Sequence, residues 1–525
     1  PRGAAYLKQG GKWTVTVKPM PAETDEWPQW DYSAAGNPAS QDTLVRPTTA
    51  LRWYAGPSVA HRGATKVGAR LAGGRVVYAA VDYGFDNPRF REERKRDIVA
   101  RDAFNGLLLW KRHVDGVASV GDAPGRFGLT AADDRVFAYV NDASPLHALD
   151  AETGKTAVTF DDGPPMPAGY EKWSGYRNSP EEIHFVVRVL DGKVVQAYRN
   201  RLTVSDSRTG KLIWEHEADT DTTVGWVVAA ERKVFAVLAD KKLLKNRASP
   251  LSVVKRVVAF DLNSGKVLWE NDQARGRLLF RIVYHEGSLI VPTMAKAEKI
   301  KSGGPWIIAR LNAADGKTIW KTEEIKGGWG HYTIVMVRDN EVFLGQEAGF
   351  AVRFDNGEFL RKVSWSQHDN SCADLRCVPN YTFYGLTFID REGERITRGQ
   401  ARSICDTGIF PAYGMMYGLP SACLCAEYIN GHYALSSEPV EDAVDDAERL
   451  VVHAADAPDD SKKEAERPVS EWPMHMANPR RGSWTPHGLS VNNAADLKVA
   501  WQIDVATATA EGPLREDWGD NEQIV

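Results

Sequence analysis

The chain has 525 residues, 43% of them hydrophobic, a formal charge of −5 and 17 Trp. That is enough apolar material for a large core, and a nearly balanced surface argues against bulk attraction to nucleic acid. No run approaches the roughly 18 consecutive apolar residues of a membrane helix, so no bilayer span is expected.

Residues 1–20 read as two short strands around Gly10-Gly11 and do not share the pattern of the rest of the chain. From Glu26 the chain runs Glu-Trp-Pro-Gln-Trp-Asp-Tyr, then Gly36-Asn37-Pro38, then Leu51-Arg52-Trp53. A fixed phrase then begins. Between Ile98 and Arg112 an apolar strand ends in Asp102, Gly106 follows, and Trp110 comes next; the phrase returns at Asp206, Gly210, Trp214 and at Asp261, Gly265, Trp269. A close variant occupies Asn312, Gly316, Trp320, and a worn copy Asp150, Gly154, Val158. Recurrence about every fifty residues marks a repeat architecture.

Each residue of the phrase has a mechanical role. Asp bonds the backbone of a hairpin turn, Gly supplies positive φ, and Trp on the returning strand buries its ring between sheets while its N–H finds an acceptor. Two further apolar runs precede each copy, such as Val224–Ala230 and Lys233–Ala239 before Asp261. The repeat is therefore a four-stranded antiparallel sheet, and the chain is expected to be an all-β, radially packed β-propeller. Blades are expected near residues 67–112, 127–160, 184–217, 224–271, 278–322, 331–363, 376–402 and 408–437. That makes eight, with seven as the alternative because Asp355 to Gly393 lacks a full phrase, and Leu51–Tyr54 is expected to close the ring.

The links between second and third strands are long at Asp82 to Arg96, Asp240 to Arg256 and Met294 to Pro305. They carry Lys241, Lys242, Lys245, Arg247, Lys255, Arg256, Lys296, Lys299 and Lys301, a basic sector suited to an anionic partner or simply solvated. Residues 439–470 have the acidic, Ala- and Pro-rich composition of a linker, and Glu471-Trp472-Pro473 with Asn478-Pro479 repeats the lead-in at Glu26. The expected organisation is 1–20 the end of an upstream domain, 26–438 a propeller, and 471–525 the start of a second one. The opening Pro-Arg-Gly without Met suggests a piece of a longer chain.

All five Cys fall between Cys372 and Cys425, with Cys377 and Cys405 placed just before inner strands. Two disulfides among Cys377, Cys405, Cys423 and Cys425 are one reading, leaving Cys372 over; a metal held by the same four thiolates is the other. Their spacing matches no common zinc pattern, and a Cys-x-Cys pair in a strand points its sulfurs to opposite sides. The channel mouth is expected to be lined by Arg126, Phe127, Glu182, His184, Trp226, Arg281, Trp329 and His331. Of these Trp329, His331, Trp226, Arg126 and Glu182 are the candidates to hold a planar cofactor, Gly327-Gly328-Trp329-Gly330-His331 being the most suggestive stretch. The plainer alternative is polar groups bonding across a water-filled channel. No catalytic motif assigns a nucleophile or a phosphate loop.

The repeat resembles the PQQ-type propeller repeat of quinoprotein alcohol dehydrogenases and of the non-enzymatic lipoprotein that serves outer-membrane β-barrel assembly. Four segments, Gly10 to Pro28, Val99 to Arg112, Arg402 to Pro420 and Ser421 to Cys425, are similar to large exported bacterial proteins with a methyltransferase-like domain ahead of such propellers. The resemblance implies an extracytoplasmic location, periplasmic or secreted, which favours disulfides, and it makes residues 1–20 the end of the methyltransferase-like domain. The dehydrogenases imply PQQ and calcium. This chain departs from them in separating Cys423 and Cys425 by Leu424, and their calcium-binding Glu, Asn and Asp find no matching motif. The expected function is a binding or scaffold module for a protein or small ligand on one propeller face. A quinoprotein-like oxidoreductase and an accessory domain of a SAM-dependent methyltransferase are the alternatives.

Overall fold

The computed structural model describes residues 4–55, 68–82, 95–114, 128–132, 134–141, 144–165, 186–241, 252–279, 281–295, 305–327, 334–345, 348–364, 374–397, 408–419, 429 and 431–437. The chain divides into one unit of residues 1–439 and 513–525 and another of 440–512, and all the described residues belong to the first.

A hairpin opens the chain: β1 (Ala4–Gln9) pairs β2 (Lys12–Val17) across Gly10 and Gly11, both at positive φ. After β3 (Ala50–Ala55), a sheet forms in sequence order from β4 (Arg70–Ala72), β5 (Arg75–Asp82), β6 (Lys95–Asp102) and β7 (Leu108–His113). The next contains β8 (Thr130–Ala132), β9 (Arg135–Tyr139), β10 (Leu146–Asp150) and β11 (Thr156–Phe160). A third has β12 (Val186–Leu190), β13 (Lys193–Tyr198), β14 (Arg201–Asp206) and β15 (Leu212–Glu217).

Two further four-stranded sets follow, β16 (Thr222–Ala230), β17 (Lys233–Asp240), β18 (Ser252–Asp261), β19 (Val267–Asn271) and, after β20 (Leu278–Leu279), β21 (Val283–His285), β22 (Ser288–Met294), β23 (Pro305–Asn312), β24 (Thr318–Lys321). The short β20 pairs both β18 and β22, and β25 (Ile325–Lys326) adds to β23, so these sets form one ten-stranded sheet. Then come β26 (Ile334–Arg338), β27 (Glu341–Gly345), β28 (Ala348–Arg353), β29 (Phe359–Ser364), and β30 (Leu375–Val378), β31 (Tyr381–Tyr384), β32 (Thr387–Ile389), β33 (Arg395–Thr397). In the last sheet β34 (Phe410–Ala412), β35 (Met415–Gly418) and β36 (His432–Ser436) are completed by β3 from the other end of the chain, as the position of Leu51–Tyr54 predicts.

Every described strand pairs antiparallel with its neighbours in its own sheet, and the innermost strands adjoin one another in order from β4 through β30. Val378 packs with Ile409, and Leu71 with Phe410, which carries the packing through β34 back to β4. This is a β-propeller. Its repeat phrase does what its residues predict. Gly106, Gly154, Gly210, Gly265 and Gly316 each sit at positive φ and donate their N–H to the carbonyl four residues earlier, at 2.8–3.0 Å. A β-bulge precedes each turn, for example at Ala100/Arg101 and Ala259/Phe260.

The Trp of one sheet lies on the Gly of the next. Indole N–H groups of Trp53, Trp110, Trp214, Trp269 and Trp320 donate to the carbonyls of Ala103, Ala151, Leu262, Ala313 and Phe354, at 2.8–3.1 Å. The core thus consists of apolar layers between neighbouring sheets, five of them bolted by one of these Trp. Where the worn copy has Val158, that side chain and the Thr159 carbonyl lie against Gly210 in the place a Trp ring holds elsewhere.

Candidate functional site

The segment from Asp25 to Val45 has no regular secondary structure, yet it is the element that defines the channel. It runs around the ring and bonds to the sheets in turn, near the C-terminal ends of their inner strands. Trp27 and Leu71 exchange both backbone hydrogen bonds at 2.9 Å, and Ala131 N–H donates to the Pro28 carbonyl at 2.8 Å. The Gln29 amide then imitates a strand, donating to the Val189 carbonyl at 2.8 Å and accepting from Val189 N–H at 3.3 Å. Ala34 accepts from Ala229 N–H, Ala35 from Tyr284 N–H. Gly36 passes so close to β16 that a Cβ there would stand 2.8 Å from Val228.

Asn37 repeats the device of Gln29. It donates to the Val337 carbonyl and accepts from Val337 N–H, both at 2.9 Å. Pro38 and Ser40 bracket Cys377 with hydrogen bonds of 3.1 and 3.0 Å, and Asp25 and Asp42 accept from Tyr413 and Gly414 beside β34. The belt then meets its own start: Ser40 Oγ donates to Asp25 Oδ2 at 3.0 Å and Gln41 N–H to the same oxygen at 2.6 Å. Glu26 Oε1 completes the clasp, accepting from Gly73 N–H at 2.7 Å and from the Tyr413 hydroxyl at 3.0 Å. Burial pushes the carboxyls of Glu26 and Asp42 and the Tyr413 hydroxyl up from their ordinary values.

Beneath the belt the channel wall carries arginines that are almost wholly buried. Arg70 lies over the Trp30 ring at 5.3 Å. Arg376 lies over Phe410 at 4.3 Å and Trp27 at 5.4 Å, 3.6 Å from the Asp374 carboxylate. Arg188 and Arg281 both stand 5.5 Å from the centroid of Trp226. Between them the belt inserts Asp31, with Arg281 Nη1 to Oδ1 at 3.0 Å and Arg188 Nη2 to Oδ2 at 3.6 Å.

Of the residues nominated from sequence, Trp226 lies inside β16 and is 2% exposed, with its ring shared by two guanidiniums. Arg281 lies just before β21 and serves the same cluster. Trp329, His331, Arg126, Phe127, Glu182 and His184 lie outside the described residues. So do Cys372, Cys405, Cys423 and Cys425. Cys377 falls within the inner strand β30 rather than before it, because its backbone pairs with the belt on one edge and β31 on the other. It is a free, buried thiol packed among Ile334, Met336 and Tyr384, and burial pushes it up to about 12. A neutral thiol of that kind is a poor nucleophile.

Of the basic sector, Lys255 is held by Asp221 at 2.9 Å and Arg256 lies 3.5 Å from Glu270, whereas Lys241 is exposed. The remaining basic link residues lie outside the described residues. No His, Cys, Asp or Glu cluster suited to a metal occurs among the described residues, and none of their helices is long and apolar enough to cross a membrane.

The belt was hidden in the sequence. Its polar side chains bond to backbone groups up to 372 residues away, a relation that no local periodicity records.

The family described as "Outer membrane protein assembly factor BamB", built on PQQ-type repeats, matches residues 34–250 and 253–404. A 1-butanol dehydrogenase (cytochrome c) of Thauera butanivorans is 24% identical over 180 residues, 34% of this chain and 24% of that protein. The chain therefore spans about a quarter of the length of that curated relative. BamB from Moraxella catarrhalis superposes with a TM-score of 0.36 at 12% identity, covering 61% of this chain and 80% of that one. A quinohemoprotein alcohol dehydrogenase from Comamonas testosteroni gives a TM-score of 0.35 at 12% identity, covering 70% and 77%.

Proposed function

Because the chain belongs to the PQQ-type propeller-repeat family described as outer membrane protein assembly factor BamB, we propose that it is a binding or scaffold module for a protein or small ligand, working outside the cytoplasm of a bacterium. The observation that carries this reading is the occupied ring of Trp226, the one nominated cofactor residue that lies among the described residues. A planar quinone needs an open aromatic face, and at Trp226 that position is taken by Arg188 and Arg281 with Asp31 between them. The sequence also lacks an adjacent Cys pair. The surroundings of Trp226 do not fit a quinone. Binding is left to the face opposite the belt, where β5, β17 and β22 end at Asp82, Asp240 and Met294 and the long links depart.

On the same reading β1 and β2 belong to a domain other than the ring. Trp13 is 63% and Leu7 61% exposed, and a lone two-stranded hairpin is marginal in water. Residues 439–470 then act as a linker, and 471–525 open a second ring. The test is reconstitution with PQQ and Ca²⁺, followed by desalting, absorbance and intact mass. No retained quinone is the expected outcome; one tightly held equivalent would sink the binding-module reading.

A further inference from the structure

The Asp31 cluster has the composition of a ligand site whose ligand is part of the chain. Its wall comes from three neighbouring four-stranded sets: Arg188 on β12, Trp226 on β16 and Arg281 ahead of β21. Both arginine side chains are 2% exposed and the Asp31 side chain 4% exposed. Two guanidiniums placed against one indole repel each other, and water does not screen them there. Burial, opposed by Asp31 and reinforced by Arg281, pushes the Arg188 guanidinium down from its ordinary value.

A carboxylate between two guanidiniums is the group that such a wall recognises, through charge and paired N–H donors. The contact is lopsided. Arg281 makes a hydrogen bond of 3.0 Å, whereas Arg188 Nη2 and Asp31 Oδ2 remain 3.6 Å apart, and both of those buried atoms lack a hydrogen bond. Asp31 is therefore held by one strong contact and by the belt around it.

We propose that Arg188, Arg281 and Trp226 form a carboxylate-binding site on the channel wall, and that the belt fills it in cis with Asp31 as an intramolecular ligand. The proposal rests on the geometry of the clamp alone, so retention of a quinone elsewhere in the channel would overturn the binding-module reading and leave this one standing.

Chemical rescue tests it. In the full chain, Asp31→Gly removes the carboxylate and leaves room for a small one, whereas Asp31→Asn removes only the charge. Melting is followed for both variants and the wild type against sodium formate, with sodium chloride at matched ionic strength and neutral formamide as controls. Formate is expected to raise the melting temperature of Asp31→Gly in proportion to the logarithm of its concentration, as for a ligand that binds only the folded state. The wild type and Asp31→Asn should show only the shift that chloride gives, and Asp31→Asn should melt below the wild type.

Equal responses of Asp31→Gly and wild type to formate would overturn the proposal. So would an equal effect of chloride or formamide on Asp31→Gly, or an Asp31→Asn protein as stable as the wild type. If Asp31→Gly folds only when formate is present, the proposal is supported; if it fails to fold even in formate, the proposal is wrong.

Discussion

At Gly316 the backbone takes a φ of +74°, and a Cβ there would stand 2.5 Å from the Trp269 ring. At Gly276 φ is +76° with nothing within 4 Å. The pair separates backbone strain from steric conflict. Gly276→Ala should cost about 1–2 kcal/mol, the price of a left-handed non-glycine residue. Gly316→Ala should cost about 2–5 kcal/mol, since the displaced indole adds an overpacking term of about 1–3 kcal/mol. Urea midpoints at constant m measure both, and equal losses would refute the Trp-on-Gly bolt. The turn carboxylates make a second prediction. The hydroxyls of Thr153, Thr209 and Ser264 hold Asp150, Asp206 and Asp261 below the usual range. A depressed carboxyl stabilises the fold above its unfolded pKa of about 3.9, and that contribution is lost as pH falls through the lower, folded value. The triple variant Asp150→Asn, Asp206→Asn, Asp261→Asn should therefore melt below the wild type near neutral pH, with the gap closing below about pH 4. A gap independent of pH would mean that these carboxylates act through shape alone.

The belt is an element without secondary structure, so its side chains must do what strand edges do elsewhere. Asn37 is 7% exposed and satisfies both backbone groups of Val337. Asn37→Ala orphans them, a loss of about 2–4 kcal/mol. Asn37→Asp should lose a similar amount, because its carboxylate faces the Val337 carbonyl; equilibrium unfolding distinguishes this from a silent change. Glu26 carries the opposite pH sign from the turn aspartates. Its raised carboxyl is penalised as pH rises from the unfolded value of about 4.3 through the folded one. Glu26→Gln keeps an oxygen for Gly73 N–H and the Tyr413 hydroxyl, so it should gain stability at neutral pH relative to wild type and match it below about pH 4. Melting curves across pH would expose the wrong sign. These residues also explain what the sequence could and could not reveal. The sheets were readable because a strand, an Asp turn, a Gly and a Trp recur with fixed spacing. A further copy is masked in the sequence because Arg353 stands where Asp does elsewhere, although Gly357 donates to its carbonyl at 2.9 Å and receives the Trp320 ring. Trp226 read as a stacking platform because a sequence does not reveal that two arginines, one of them 38 positions before it, share its ring. The echo at Glu471-Trp472-Pro473 is likewise only partial. Asn37 follows Trp27 by ten residues, whereas Asn478 follows Trp472 by six, so Asn478 does not stand at Asn37's distance along a second belt.

A stack of sheets that touch only their neighbours would behave as a one-dimensional array, melting from its weakest member outward. Two devices turn this array into a ring with a common fate. The first is β3, which completes the sheet of β34 to β36 and lays Trp53 on Gly106 of the sheet of β4 to β7, joining the last sheet to the first. The second is the belt, which bonds to the inner strand region of each sheet in turn and closes on itself through Asp25, Ser40 and Asp42. Loss of either end of such a closure exposes apolar surface on both flanking sheets at once. Trp53→Ala should accordingly cost about 3–5 kcal/mol as a large-to-small core change. It should still unfold in one step, because the belt continues to couple the sheets. Replacing residues 25–42 by a flexible linker of equal length removes that coupling. The expected result is separated transitions by far-ultraviolet and near-ultraviolet circular dichroism and a lower urea m-value, where the wild type gives a single coincident transition. A belt-less protein that keeps one coincident transition would show that packing between adjacent sheets is enough to make the ring cooperative, and that the belt serves the channel alone.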